Sequence, residues 1–336
     1  MHLFRFIALI VADFLGYVTW KFREQRGSIS FDQATARAFH ATLSTLYQQE
    51  KSLLENQLTS VHRGVKGEKD SFDRLGPVIA TDIADRHGDT QYLNPKHSKR
   101  WDILVPSEAA VLLDKEDEIR ALINPTSEYT KTIAAALGRR ADKHVINAAV
   151  GVALEGQIDQ TGGLTSVSLP AGQQIALGSS PNDVFTLAKV QQASAILSKA
   201  GVPNNPKSRI MLYSPGQEQA LLNITQAASS DFTKNKLYDT GSMNGLSWMG
   251  FTWIEIPDVK DESGATLSTM LPIVSTTRTC IALATDAVGL SIGLNVQSFM
   301  DVLPHKHHAL QVRAEIMMAA VRKWDTGVVS IATLEQ

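Results

Sequence analysis

A chain of 336 residues, 43% hydrophobic and 20% charged, is long enough for one large domain or two that share a core, and its composition excludes the disordered, collagen-like and disulfide-stapled classes. Thirty-two basic against thirty-four acidic residues leave a net charge of −2, with no basic cluster at the C-terminal ATLEQ, so the chain lacks the concentrated patch that strong binding to nucleic-acid phosphates requires. The single cysteine, Cys280, excludes an intrachain disulfide, and its setting TRTCIALAT reads as a buried strand where the thiol serves as a small hydrophobe.

Residues 4–20, FRFIALIVADFLGYVTW, form the most apolar stretch. The run is shorter than the about 20 apolar residues of a spanning helix, Asp13 interrupts it, and no small-x-small cleavage site precedes KFREQRGS. An arm that packs on its own or a neighbouring subunit is expected, without stable membrane association. From Phe31 to Leu58, Ala34, Ala38, Ala41, Leu46, Leu53, Leu54 and Leu58 give a helical pattern with one apolar face. Residues 60–105 are richer in glycine, proline and charge, and a long two-stranded hairpin reaching away from the core accounts for them.

Asn124-Pro125 opens the clearest helix, with Asn124 as cap and Pro125 at the first position; Tyr129, Ile133, Leu137, Ala141, Val145 and Ala149 recur every four residues. Carried to Gly151, it spans about 39 Å at 1.5 Å per residue. Short strands and turns follow over EGQIDQTGGLTSVSLPAGQQIALGSSP. A second helix is predicted from Pro181, with Leu187, Val190, Ala193 and Leu197 on its buried face and Gly201 and Pro203 closing it. Strand candidates RIMLY (209–213), FTWIEI (251–256), CIALAT (280–285) and GVVSIAT (327–333), with a short helix at 215–224, make the fold class α+β. No internal repeat is present.

The chain contains no phosphate loop, no strand-linked G-x-G-x-x-G, no nucleophile elbow and no H-E-x-x-H helix, and neither catalytic nor cofactor-binding residues are assigned. His305, His307 and His308 in PHKHHAL could ligate a transition metal, but Lys306 lies among them and no nearby carboxylate or cysteine completes a set, so no metal is expected. The acidic run Asp114, Glu116, Asp117 and Glu118 lacks the spacing of a calcium loop and reads as a surface. Its complement is the basic stretch Lys96, His97, Lys99 and Arg100, and the two could meet between subunits, where opposite potentials fix register.

The passage LLDKEDEIRALINPTSEYTKTIAAALGRRADKHVINAAVGVALEG at 112–156, with PAGQQIALG at 170–178 and QVRAEIMMAAVRKWDTGVVSIAT at 311–333, resembles phage coat proteins of the Hong Kong 97 type. The likeness covers roughly residues 30–333. It implies an N-terminal arm (1–59), an extended loop that overlaps a neighbour (60–111), a peripheral domain built on the long spine helix (112–180 and 295–336) and an axial domain (181–294). The resemblance further implies self-assembly into hexamers and pentamers of an icosahedral head around double-stranded DNA that is not gripped strongly. Portal, scaffold or decoration proteins are the implied partners, assembly takes place in the host cytoplasm, and the virion is the final location. Residues 1–27 and the histidines at 305–308 have no counterpart in the pattern. Two other readings stand beside it: an encapsulin-like compartment of the same fold, and an exported metal-dependent enzyme that would require both the N-terminal segment and the histidines to be functional.

Overall fold

The computed structural model describes residues 51–82, 86, 89, 90, 92–113, 126–156, 163–178, 183–223, 242–260, 266–268 and 271–335, with backbone alone at 126–128, 259, 260 and 266–268. The first part of the chain supplies β1 (Ser60–Arg63), β2 (Lys69–Leu75), β3 (His97–Ile103), β4 (Val105–Leu113) and the long helix α1 (Thr126–Val150). Then come β5 (Ala153–Gly156), β6 (Leu164–Val167), β7 (Gln174–Ile175), α2 (Leu187–Lys199), β8 (Arg209–Tyr213) and α3 (Pro215–Leu222). Among the described residues after α3 come the strands β9 (Ser247–Trp248), β10 (Phe251–Glu255), β11 (Val259–Lys260), β12 (Thr266–Ser268), β13 (Ile273–Val274), β14 (Thr277–Ala284), β15 (Val288–Leu303), β16 (Ala309–Arg322) and β17 (Val328–Leu334).

The long helix forms where the periodicity places it, with Ile133, Leu137, Ala141, Val145, Ile146 and Ala149 all buried and Tyr129 only partly so. The proposed cap Asn124, with Pro125, lies outside the described residues. The apolar face of α1 covers a four-stranded sheet in the order β1-β15-β16-β4, in which β15 and β16 form the longest hairpin of the fold. Val312, Ala314, Ile316 and Met318 alternate toward the helix side of that hairpin and are buried there. Neither β15, β16 nor β4 was among the strand candidates, although this alternation signals a strand.

A larger sheet, β7-β17-β14-β8-β10-β9 with β13 beside β14, lies next to it. Its two faces separate by residue parity. Ile210, Leu212, Ile281 and Leu283 join the core around α1, whereas Met211, Tyr213, Cys280 and Ala282 face a second core with α2 and α3. The four strand candidates map onto β8, β10, β14 and β17. Strands β7 and β17, which lie outside 181–294 in sequence, hydrogen-bond into this sheet. Helix α2 begins at Leu187 after an extended Thr186, not at Pro181, which is outside the described residues; the Asp183 carbonyl accepts from the Leu334 N–H at 3.1 Å instead of from a helical turn, and Phe185 is fully buried. Gly201, at φ +81, then turns the chain in the left-handed conformation that glycine adopts without strain.

Candidate assembly surfaces

The predicted excursion is a hairpin. Strands β2 and β3 pair antiparallel from Lys69↔Ile103 to Leu75↔His97, and the Gly76 N–H donates to the Lys96 carbonyl at 2.8 Å. Alternation gives the hairpin two unlike faces. Asp70, Phe72, Arg74, Arg100 and Asp102 share the face turned to the body, where Phe72, Arg100 and Asp102 are buried; Lys99 and Asp73 lie on the other face and form an exposed cross-strand pair at 3.3 Å.

What seats the inner face is a chain of buried charges. The Arg100 guanidinium, 1% exposed, lies 3.0 Å from Glu155 of β5 and 2.6 Å from Asp325. The other Asp325 oxygen accepts from Arg322 Nε at 2.7 Å, and Arg322 donates onward to the carbonyls of Ala149, Gly151 and Val167. Arg74 completes the set with Glu155 at 2.5 Å and the Lys323 carbonyl at 3.1 Å. Hairpin base, end of α1, β5 and β16 are therefore joined by one network. The close approach also requires Gly289, because a Cβ there would stand 2.6 Å from the Phe72 ring.

Beyond that base the hairpin changes character. Leu75, Val78, Ile79, Tyr92 and Leu93 are exposed, Ile79 by 82% and Tyr92 by 93%. Large apolar groups this open, on both legs of one excursion, mark an interaction surface. A cleft of about 700 Å³ is lined by Pro77 of the hairpin and by Val202, Pro203, Ala284, Ala287 and Trp324 among others.

The N-terminal segment enters the described structure along α1. Asp142, fully buried in the middle of that helix, accepts from Ser52 Oγ at 2.6 Å and from the backbone N–H groups of Leu53 and Leu54 at 3.0 and 3.1 Å. Leu54 and Leu58 are buried in the α1 core, and Gly138 leaves room for the chain, a Cβ there lying 3.1 Å from Ser52 N. The sequence marked Leu53, Leu54 and Leu58 as apolar-face positions, but residues 55–57 form only a single 3-10 turn.

The residues singled out from the sequence fall in three places. Lys96 and His97 are exposed and Lys99 partly so, whereas Arg100 is committed within its own chain and leaves the basic surface to its three neighbours. The acidic run Asp114, Glu116, Asp117 and Glu118 lies outside the described residues, directly after the end of β4. His305, Lys306, His307 and His308 form the exposed turn between β15 and β16, with His307 and His308 at φ 51 and 58. Among the described residues no group of three or more His, Cys, Asp or Glu is placed to hold a metal, and no helix is long and apolar enough to cross a membrane. Burial pushes the Cys280 thiol up to about 12, against the thiolate form a nucleophile needs. Sequence reasoning missed Asp142, Asp325 and Arg322. Only the pair Arg322 and Asp325, three apart in VRKWDTG, carried any local signal.

Residues 31–335 match the family model described as phage capsid protein. No curated protein matches the sequence. Solved structures with a similar fold include the capsid of cyanophage P-SCSP1u, at 13% identity over 88% of this chain and 91% of that one with a TM-score of 0.64. The capsid of Ralstonia phage GP4 has 14% identity over 88% and 94%, with a TM-score of 0.60. The head of Helicobacter pylori bacteriophage KHP40 has 11% identity over 87% and 96%, with a TM-score of 0.58.

Proposed function

The chain belongs to the phage capsid protein family, and from that premise we propose that it is the major coat subunit of an icosahedral head whose copies close as hexamers and pentamers around double-stranded DNA. The fold is that of phage capsids of the Hong Kong 97 type, the role is structural and the location is the virion. The observation that carries the proposal is the span of the family match, which takes in the hairpin, α1 and both sheets.

In this reading, residues 1–59 are the arm; 60–111 carry the loop that overlaps a neighbour, with β1 and β4 at its two ends anchored in the sheet under α1; 112–180 with 295–336 are the peripheral domain; and 181–294 are the axial domain, whose sheet also takes in β7 and β17. The exposed apolar tip of the hairpin supports the second of these assignments, because burying Ile79 and Tyr92 on another copy removes from water a surface that their own chain leaves open. Lys96 and Lys99 of one copy face the acidic run Asp114, Glu116, Asp117 and Glu118 of the next, and complementary charge sets the register between them. Arg100 takes no part in that contact, being held inside. Portal, scaffold or decoration proteins bind the finished or growing shell, and the DNA inside is confined rather than gripped, in keeping with a net charge of −2.

Negative-stain electron microscopy and sedimentation of the purified chain, alone and co-expressed with its genomic neighbours, test this. Closed particles of uniform diameter are expected; a monomer or small oligomer under both conditions refutes the shell. Reversing charge at Glu116 and Asp117 should abolish particles and leave the folded subunit, and undiminished assembly would remove the charge contact.

A further inference from the structure

The base of the hairpin holds a second buried feature, separate from the arginine network. Asp70 of β2 and Asp102 of β3 are register partners, so two carboxyl groups stand opposite each other on the inner face of one antiparallel pair. Like charges in that position repel. The two groups are treated unequally by their surroundings. Asp70 accepts from Ser291 Oγ of β15 at 2.8 Å and from the Ser71 N–H at 2.8 Å, and it lies 2.7 Å from His62 Nδ1 of β1. Asp102 is 3% exposed, and neither of its carboxyl oxygens has a hydrogen-bond partner of normal geometry.

That inequality sets which of the two takes up a proton first as the pH falls. Burial works against the charged form of both groups, but the hydrogen bonds from His62, Ser291 and Ser71 outweigh it at Asp70 and hold that carboxyl below its usual value. At Asp102 burial, reinforced by the Asp70 charge, pushes the carboxyl up to about 6; the Ser291 hydroxyl and the backbone amides of Asp70 and Asp102 only temper the rise. Among the described residues, the charged group next along the inner face of β3 is Arg100, which is turned to Glu155 and Asp325. His62 comes from β1 and the neutral Ser291 from β15, while β16 turns Met317, Ala319 and Val321 toward the hairpin, with Glu315 and Arg313 farther along the same strand.

We propose that Asp102 is a proton-controlled latch for the hairpin: protonated, its hydroxyl donates to the Asp70 carboxylate and holds β2 and β3 against β15; ionised, the two carboxylates repel and the base loosens. The elements it would release are defined. Asp70 reaches Ser291, and Phe72 lies on Gly289, so the latch sits at the crossing of the hairpin over β15. Its consequence for a shell rests on the reading that the hairpin overlaps a neighbour, because a loosened base lets the tip change its reach while subunits take up their places. Asp102 has its folded value raised above the ordinary 3.8, so the stability it contributes is complete below about 3.8 and is lost as the pH rises through about 6.

Hydrogen exchange of the full chain, corrected for the intrinsic pH dependence of exchange, tests the latch. Protection of the β2 and β3 amides, relative to β8 and β14, should fall about tenfold between pH 5 and pH 8, and Asp102→Asn, an uncharged group that can donate to Asp70, should keep the pH 5 level throughout. A wild-type hairpin whose protection does not change, or a pH response that survives in Asp102→Asn, overturns the proposal. If that variant does not fold, Asp70→Asn serves: removing the opposing charge should move the transition to lower pH, and an unmoved transition is equally fatal. Exchange is read on the subunit, so a chain that never closes into particles refutes the shell and leaves the latch intact, whereas a pH-insensitive hairpin on a chain that does form particles refutes the latch alone.

Discussion

The two ends of one hairpin are held by opposite means. At its base Arg100 and Asp102 are almost fully buried and Arg74 is tied to Glu155, all within the chain; at its tip Val78, Ile79 and Tyr92 stand in solvent. The difference shows how a single excursion can be rigid where it leaves the body and available where it ends. Charge supplies the rigid end because an arginine taken out of water must be paired and oriented, whereas apolar groups supply the free end because they gain from any surface that covers them.

The sharpest way to break this comparison is at the base. Asp325→Ala leaves Arg100 and Arg322, both almost fully buried, without their shared carboxylate, and should cost about 3–5 kcal/mol in chemical denaturation. A loss below about 1 kcal/mol would mean that water or other groups compensate, and the base would not be held by charge. Next in size is Asp142→Ala, which removes the acceptor of three hydrogen bonds to residues 52–54; about 2–4 kcal/mol should be lost, with faster proteolysis before Leu58. Unchanged cleavage there would show that Leu54 and Leu58 suffice to hold the segment.

The smallest effect on the subunit is expected at the tip. Ile79→Asp with Tyr92→Ser should leave subunit stability within about 0.5 kcal/mol, since both side chains are already in water, and yet prevent particles in the electron microscope. Normal particles from that double variant would detach the apolar tip from assembly.

How much of this was legible depends on how local the cause is. The α1 helix could be read from the residues because its apolar positions recur every four and Asn-Pro opens the run; the strand RIMLY could be read because its run of large apolar residues is bounded by turn residues. The hairpin was legible as an excursion, since its segment lacks the apolar runs that a core strand needs. Strands β15 and β16 were not read, because NVQSFMDVL places small, polar and apolar groups at exposed positions and AEIMMAAVR is apolar on both faces at its inner end, which blurs the alternation.

Arg100 marks the limit most clearly. In the sequence it follows Lys96, His97 and Lys99 and looks like one more surface charge; parity on β3 turns it inward, and its carboxylate partner Asp325 lies 225 residues away. The sequence by itself determined the kind of protein, the long helix and the existence of an excursion, since periodicity and motif are properties of neighbouring residues. Only the tertiary structure decided which charges are buried, that Asp70 faces Asp102, and that Asp142 receives the N-terminal segment. Each of those depends on strands or helices brought together from distant parts of the chain, where pairing register and not sequence distance sets who meets whom.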